Sequence, residues 1–363
     1  MAKHESRDQP LYDLDTVGPV TVEQGVENSG FFVRSSPDAA RSKGGRVIGQ
    51  GINRTESWDK VHRAGNGAAL LFGESPGFTV DGLYAEFTWD GIRPVDNTRD
   101  FMVRGCWLNN IRDDSIENDR VYDGSIEHNL FEDVHTIMSA RPGSSAGPAG
   151  GHVLSFVGNI VKMGKHLEDR AKRTYQWSPS PNYSCGQFFK VSGDGNADVV
   201  MRGNVICADV VPNASRSVLR LIPSGWRMSA DSGNNIFVWL GGSNIPGLDY
   251  EEIDGVMVPV DLLIPQGLFS VTDDPAVYEQ ARSKWISEVW NGETTQPVEP
   301  PAPAILDVLQ VEIDKLSKDA GAQAAVANAI ADLAVALQMR IGDTQATLEA
   351  MSDAIDEDRA NDR

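Results

Sequence analysis

A short self-similar element recurs six times between residues 80 and 237, and it constrains the fold of this chain more than any other feature. Each copy sets a turn-forming residue before apolar residues, as in VDGLYA (80–85), VRGCWL (103–108) and RGNVI (202–206). Successive turn positions are 23, 23, 30, 45 and 31 residues apart: Gly82, Gly105, His128, Gly158, Gly203 and Asn234. A basic step near 23, with insertions that leave as surface loops, is typical of one coil of a β-solenoid.

Asparagines follow four of these turn positions: Asn129, Asn159, Asn204 and Asn235. Asn tolerates left-handed turn geometry, and equal turns in successive coils would stack the amides into a ladder. A β-sandwich also has short strands, but it would not require a repeat near 23 residues. The repeats therefore predict a mainly β chain in which residues 18–270 form a parallel β-helix, that is, a solenoid.

The residues next to the predicted solenoid have different patterns. Residues 1–17 are interpreted as an N-terminal arm. Residues 271–292 are predicted to be a packing helix, because an Asp N-cap precedes Pro275 in the first helical turn. Four residues then step by four along one apolar face: Val277, Ala281, Trp285 and Val289.

A Pro-rich linker over 293–304 precedes a predicted coiled-coil stalk over 305–356 and a flexible tail over 357–363. One heptad position is taken by Leu306, Ile313, Ala320, Ala327, Ala334, Ile341, Leu348 and Ile355. The other is taken by Leu309, Leu316, Gln323, Ile330, Leu337, Thr344 and Met351. A 3.5-residue repeat sustained over 306–355 is typical of an α-helical coiled coil, so we expect self-association there. The alternative is a helical hairpin that folds back on its own domain.

Three consecutive coils carry an unusual concentration of charge. The segments TWDGIRP (88–94), RDDSIEND (112–119) and VHTIMSA (134–140) superimpose on Ile92, Ile116 and Ile137. Side chains alternate between the two faces of a strand. If the three Ile residues point into the solenoid, a second set is expected to point outward: Gly91, Ser115, Thr136, Arg93, Glu117 and Met138.

The same alignment brings four polar residues to one outer wall. Neighbouring coils are about 4.8 Å apart, so Asp90 is expected about 5 Å from the pair Asp113 and Asp114, with His135 one coil further. Carboxylates this close cannot all ionise easily, so one should have a raised pKa. A neutral acid beside an ionised base is the arrangement that glycoside hydrolysis uses.

The turn-Asn repeats over about residues 45–245 resemble the right-handed parallel β-helix of the pectate lyase and polygalacturonase superfamily. Polygalacturonases carry an Asp on one coil, an Asp pair on the next and a His one coil later. Matched by position, the resemblance assigns catalytic roles to Asp90, Asp113, Asp114 and His135. The family's Asn-Thr-Asp is Thr-Trp-Asp here, and no Arg-Ile-Lys follows.

The neighbouring residues are candidate substrate contacts. Arg93 and Arg112 are expected to bind an acidic sugar or to offset carboxylate repulsion, and Glu117 lies beside them. Trp89 and Trp107 are candidates for stacking on a sugar ring. One of Asp113 and Asp114 would be the general acid, and the other, with Asp90, would position water.

Alternatives remain open for each of these residues. Asp and Asn are common at solenoid turns, where they cap strand ends. His135 alone would be a satisfied turn histidine, and Trp89 and Trp107 would be packing residues. No metal or cofactor is predicted for the main interpretation. Calcium ligation by the same carboxylates is the alternative, with an arginine as the base of a lyase.

The charge and the three cysteines exclude several classes of protein. A formal charge of −20 argues against a nucleic-acid-binding surface and favours a neutral or cationic partner. There is no apolar run of membrane-spanning length and no apolar h-region near Met1, so we expect neither membrane insertion nor a signal peptide. Cys106, Cys185 and Cys207 lack metal spacing and are expected to be buried thiols.

The combination of a solenoid body and a coiled-coil end is similar to phage tailspikes, and this resemblance implies a spike or fibre of a phage virion. It also implies a homotrimer through 306–355, made in the host cytoplasm and carried on the virion. Its partners would be a bacterial surface polysaccharide, which it binds and cleaves, and other virion proteins. The alternatives are a non-catalytic structural or adhesion protein of the virion, and a free bacterial polysaccharide lyase or hydrolase found in the cytoplasm.

Overall fold

The computed structural model describes most of the first 291 residues. The described residues are 5–6, 10–23, 30–34, 36–50, 67–96, 98–140, 153–167, 183–191, 198–210, 226–243, 249–260 and 267–291. Residues 1–294 form one compact unit. The predicted linker, stalk and tail, residues 293–304, 305–356 and 357–363, lie outside the described residues. None of the described helices is long and apolar enough to cross a membrane.

Three parallel sheets account for most of the described strands, which we number in chain order. Sheet A contains β1 (Glu5–Ser6), β4 (Phe31–Arg34), β7 (Ala68–Gly73), β10 (Asp90–Val95), β13 (Asp114–Glu117), β16 (Thr136–Ala140) and β21 (Phe189–Val191). Sheet B contains β2 (Leu11–Asp13), β5 (Arg41–Lys43), β8 (Thr79–Asp81), β11 (Phe101–Arg104), β14 (Gly124–Glu127), β17 (Val153–Val157), β22 (Asp198–Arg202) and β24 (Arg227–Met228). Sheet C contains β3 (Val20–Glu23), β6 (Arg46–Gln50), β9 (Tyr84–Glu86), β12 (Trp107–Asn109), β15 (Leu130–Val134), β18 (Ile160–Met163), β23 (Val205–Ala208), β25 (Asn235–Trp239) and β28 (Phe269–Thr272).

The chain visits the sheets in the order A, B, C and then returns to A. Within the described residues, seven successive coils contribute a strand to all three sheets. This is the arrangement of a parallel β-solenoid, as the repeats predict. Its interior is a continuous apolar core, and the row Ile92, Ile116, Met138 and Phe189 shows the register of sheet A, since each residue pairs with the next and is fully buried.

The predicted alignment of the three acidic coils is correct for the first pair and wrong for the second. Ile92 pairs with Ile116, but Ile116 pairs with Met138 rather than with Ile137. The coil from Ile116 is thus 22 residues long, not 21, and Met138 lies in the core instead of pointing outward. This one-residue shift places His135 level with Asp113 rather than with Asp114.

A second departure concerns the outward set, because strict alternation fails at the start of these strands. A Cβ on Gly91 would lie 3.0 Å from the Cδ1 atom of Leu108, a core residue, so Gly91 faces the interior. Ser115, in the next coil, is fully buried, and so is Thr136. The small residues here give space to the core between sheets A and C.

The turn from sheet B to sheet C is the repeated element that the sequence shows. All six turn positions have a positive φ, between 52° and 75°. The residue before the asparagine adopts the left-handed conformation, so the asparagine side chain is available to bond to a neighbouring coil. The four predicted asparagines form the ladder: the backbone N–H groups of Asn129, Asn159 and Asn204 each donate to the Oδ1 atom of the next asparagine, at 3.0, 2.9 and 3.1 Å.

A helix covers the outer face of sheet C. Helix α1 (Pro275–Trp285) has Asp274 as its N-cap, whose Oδ1 accepts from the N–H of Ala276, and a π-helical turn (Ile286–Trp290) continues it. Its apolar side packs on an outward row of the sheet that includes Leu130 and Ile160. Sixteen helical residues span about 24 Å, the same as five coil spacings, so the helix can contact one coil after another.

A small antiparallel hairpin packs on the core near its C-terminal end. Strands β26 (Tyr250–Ile253) and β27 (Val256–Pro259) form it, and Val256 and Val258 join the core together with Trp239. A solenoid end would otherwise expose apolar interior, so this hairpin serves as a cap. A second antiparallel pair, β19 (His166–Leu167) and β20 (Tyr183–Ser184), lies in the connection between β18 and β21.

Candidate acidic site on sheet A

The predicted carboxylates meet where two neighbouring strands of sheet A begin. Asp90 is the first residue of β10 and Asp114 the first of β13, and Asp113 comes immediately before it. Each strand is fixed at its level by a buried isoleucine two residues later, Ile92 or Ile116. The backbone N–H of Asp114 donates to Asp90 Oδ1 at 3.1 Å, so the two coils are joined at the site itself.

The three carboxylates form one buried cluster. One oxygen from each of Asp90, Asp113 and Asp114 lies within 4.8 Å of the others, which agrees with the spacing expected from adjacent coils. Their exposures are 1%, 9% and 3%. The predicted proximity is therefore confirmed, but the carboxylates lie beneath the surface rather than on an open wall.

Two cations hold this cluster together. Lys190 Nζ lies 2.7 Å from Asp114 Oδ2 and 3.1 Å from Asp113 Oδ1. Arg93 forms ion pairs with both Asp90 and Glu117. The side chain of Lys190 is 40% exposed, so the cluster reaches solvent beside it.

The charges of the site do not balance. Four carboxylates, those of Asp90, Asp113, Asp114 and Glu117, oppose the two cations, which leaves −2 if all six groups are ionised. Burial raises the pKa of Asp114 well above its ordinary value, and the neighbouring Asp113 adds to the effect while Lys190 opposes it. Burial likewise raises the pKa of Asp90 and of Glu117, against the opposing effect of Arg93. The site thus holds protons that an exposed cluster would lose.

Lys190 responds in the opposite sense. Burial acts to lower the pKa of its ammonium group, but the charges of Asp113 and Asp114 outweigh burial and the net shift is upward. Lys190 therefore remains charged at neutral pH.

His135 lies one coil further, inside a second polar group. Its Nδ1 atom is 3.1 Å from Thr136 Oγ1, and its ring packs edge-on against His166 with 5.5 Å between centroids. His166 Nε2 is 2.8 Å from the carbonyl oxygen of Asp133, which fixes that ring. Gly186 lies so close to His135 and Thr136 that a Cβ on it would be 2.8 Å from His135 Nδ1. His135 is 5% exposed and belongs to the same wall as Asp113.

The other predicted substrate contacts are buried or lie on another sheet. Arg112 is fully buried and donates from Nη2 to the carbonyl oxygen of Leu167 at 2.6 Å, so it anchors the β19–β20 pair. Trp89 is 1% exposed and offers no face to solvent. Trp107 lies on sheet C, packed against Trp285 and Trp290 of the helical segment. Of the predicted substrate contacts, Arg93 and Glu117 join the ion pairs of the acidic site.

Lys190 is the site residue that the sequence did not indicate. It follows Asp114 by 76 residues, in the coil after the one that carries His135, and two long insertions separate them. No local motif marks it, because FFKV resembles any other strand. The Lys162 and Lys165 side chains, which lie nearer in sequence, pair instead with Asp133 and Asp209.

The arrangement fits an ammonium group better than a calcium ion. Calcium takes six to eight oxygen ligands, and the acidic cluster offers three carboxylates. Two of these already bind the ammonium of Lys190, which would repel a divalent cation at the same oxygens. The chemistry that this set of residues supports directly is proton transfer between carboxyl groups of different pKa.

Among known proteins, the chain matches no family model, no curated protein and no solved structure.

Proposed function

We propose that this protein binds a bacterial surface polysaccharide on sheet A and hydrolyses it at the Asp113–Asp114 pair. The observation that carries the proposal is the meeting of three carboxylates from adjacent coils within 4.8 Å, beside a single partly exposed lysine. Carboxylates are costly to bury together, and functional sites are where such arrangements concentrate.

The environments of the two aspartates suggest separate roles. Asp114, whose pKa burial raises, is the proton donor to the glycosidic oxygen. Asp113 is the most exposed of the three, which suits the ionised partner, and Lys190 bridges it to Asp114. Asp90, bonded to the N–H of Asp114, is a positioning residue.

The spacing of the carboxylates bears on the course of the reaction. Retaining glycosidases hold their two carboxyl groups about 5–5.5 Å apart, and inverting ones about 6.5–9.5 Å apart. One oxygen from each carboxylate lies within 4.8 Å of the others, and this close approach is compatible with either course. In both, Asp114 protonates the leaving oxygen. Asp113 either attacks the anomeric carbon, and water releases the sugar in a second step, or it activates a water that attacks that carbon.

A non-catalytic role is the second candidate, and one observation favours it. Each cation of the site is already paired, Arg93 with Asp90 and Glu117, and Lys190 with Asp113 and Asp114. A closed network of this kind also occurs where charged residues only fix the register of a fold. Binding of a glycan without turnover would support this reading.

The wider setting is proposed from the sequence pattern. We place the protein on a phage virion as a homotrimeric spike joined through residues 306–355, with right-handed winding of the solenoid, as parallel crossovers prefer. The heptad repeat and the resemblance to polygalacturonase-like β-helices support this setting. Other virion proteins and the host's surface glycan are then its partners.

The test uses purified full-length protein and a panel of bacterial capsules and lipopolysaccharides. We expect new reducing ends from at least one glycan, and no product from the double variant Asp113→Asn/Asp114→Asn. Asp38→Asn/Asp100→Asn, which removes two exposed carboxylates elsewhere, is the matched control and should retain activity. Equal yields from wild type and the site variant would remove the enzymatic part of the proposal.

A further inference from the structure

The cations of the acidic site restrict the class of sugar that it can accept. We propose that the site takes an uncharged sugar at the cleavage position and discriminates against a uronate. This inference rests on the proposed function and narrows it.

The first argument is that the cations near the cluster are already engaged. Arg93 lies between the carboxylates of Asp90 and Glu117, and Lys190 lies between those of Asp113 and Asp114. Arg112 is buried and directed at the carbonyl of Leu167. A uronate carboxylate would have to draw one of these cations from a carboxylate that it already neutralises.

The second argument is an open hydrogen-bond acceptor. Asp114 is 97% buried, and its Oδ1 atom has no hydrogen-bond partner among the described residues. When Asp114 is ionised, its Oδ1 atom needs a hydrogen-bond donor. When Asp114 is protonated, its O–H group needs an acceptor. A sugar hydroxyl satisfies both states, because it donates and accepts, whereas a uronate carboxylate can only accept.

The third argument is the balance of the local charge. Two cations stand against four carboxylates, so even with the protons that burial retains no positive charge is left over, and a uronate carboxylate would enter a poorly screened region without a counter-ion. The same lack of a spare cation argues against β-elimination, which removes the proton next to a uronate carboxylate and needs a cation to neutralise that carboxylate. Hydrolysis of a neutral glycan needs only the addition of water across the C–O bond.

The experiment compares matched sugars that differ only at C6. Each glycan of the panel that binds is converted into its matched partner. Uronate carboxyls are reduced to hydroxymethyl groups, or hydroxymethyl groups are oxidised to carboxylates. Binding to the full-length protein is then measured by calorimetry at 0.05 M and 1 M NaCl. We expect the neutral member of each pair to bind about tenfold more tightly at low salt, with a smaller difference at high salt.

A charge variant tests the cause. Asp113→Asn keeps the shape of the side chain but removes a carboxylate that Lys190 neutralises, so Lys190 becomes able to pair with a uronate and the preference for the neutral sugar should narrow several-fold. Glu127→Gln removes the same charge from sheet B in the same coil, and it should leave the preference unchanged.

Three results would overturn the inference. Tighter binding of the uronate member would overturn it alone and leave the proposed hydrolase intact. An equal effect of Asp113→Asn and Glu127→Gln would show that the preference reflects overall charge and not this site. No binding of either member of any pair would overturn the inference together with the proposed function.

Discussion

Asp114 is held in the folded chain at an energetic cost. Its carboxyl is almost fully buried beside Asp113, and these surroundings raise its pKa well above the ordinary 3.8. A group whose pKa is raised on folding stabilises the fold fully below its unfolded pKa, and that contribution is lost as the pH rises through the folded pKa. Between those two values, the folded chain keeps a proton that the unfolded chain releases.

We therefore expect Asp114→Asn to stabilise the protein at neutral pH. The amide has nearly the same shape and no charge to desolvate, so the melting temperature should rise by about 2–4 °C at pH 7 to 8. The gain should disappear as the pH falls below 3.8, where the aspartate is protonated in both states. Thermal unfolding across a pH series measures this, with Asp38→Asn as an exposed control.

The direction of this effect separates the two candidate functions. A variant that is more stable but inactive is what a catalytic site predicts, because activity is maintained there against stability. If Asp114→Asn is less stable at neutral pH, the ion pair with Lys190 outweighs the cost of burial. The cluster would then serve to stabilise the fold rather than to catalyse a reaction.

At the residue scale, the sequence predicts acidic residues better than it predicts their partners. Asp90, Asp113 and Asp114 meet because a repeat near 23 residues places them on adjacent coils. Lys190 could not be predicted, because long insertions interrupt the repeat before it and the sequence does not indicate the path that they take. Trp89 and Arg112 are buried although their residue types suit a sugar site, since exposure at a strand start depends on local backbone direction rather than on alternation.

The repeated turn between sheets B and C is the element that most determines the fold. One residue with positive φ turns the chain from sheet B into sheet C, and the asparagine after it bonds to the next coil. Asn159 shows the full pattern, because its Oδ1 accepts from the backbone and side chain of Asn129, and its Nδ2 donates to Ile126 O and to Asn204 Oδ1. Such a ladder ties each coil to both neighbours.

Loss of one amide from this ladder should be costly. Asn159→Ala leaves buried donors and acceptors of several neighbours unsatisfied, so the free energy of unfolding should fall by about 3 kcal/mol. Asn109→Ala removes a half-exposed amide that donates to Glu86 and accepts from Asn110, groups that water can reach, and it should cost less than about 1 kcal/mol. Denaturant unfolding measures both, and equal losses would show that the ladder adds nothing beyond a surface hydrogen bond.

The sequence repeats identify the coils more reliably than they identify the register between neighbouring coils. The turn residues predict the coils and the ladder, since their chemistry is local. The shift from Ile137 to Met138 was not predictable, because both residues are apolar and a one-residue difference in coil length leaves no trace in the pattern. Placement of His135 beside Asp113 instead of Asp114 follows from that shift alone.

At the scale of the whole molecule, two described segments complete the solenoid. The helical segment Pro275–Trp290 covers the apolar outer face of sheet C, and the hairpin β26–β27 packs on the core near its end. With these apolar surfaces covered, the solenoid has less need of a partner for its own stability. We therefore expect self-association to depend on the heptad repeat at 306–355.

This expectation can be tested in the full-length chain. A homotrimer has a mass of about 118 kDa, three times the 39.4 kDa chain. Placing Asp at two core heptad positions, Ile330→Asp and Leu337→Asp, should convert the protein to monomers, because charged side chains would meet at the seam. Asn328→Asp with Met339→Asp adds the same number of carboxylates at outer heptad positions and should leave the trimer intact. Sedimentation equilibrium distinguishes the species. A core variant that remains trimeric and keeps the circular dichroism of the wild type would show that the subunits associate through another surface.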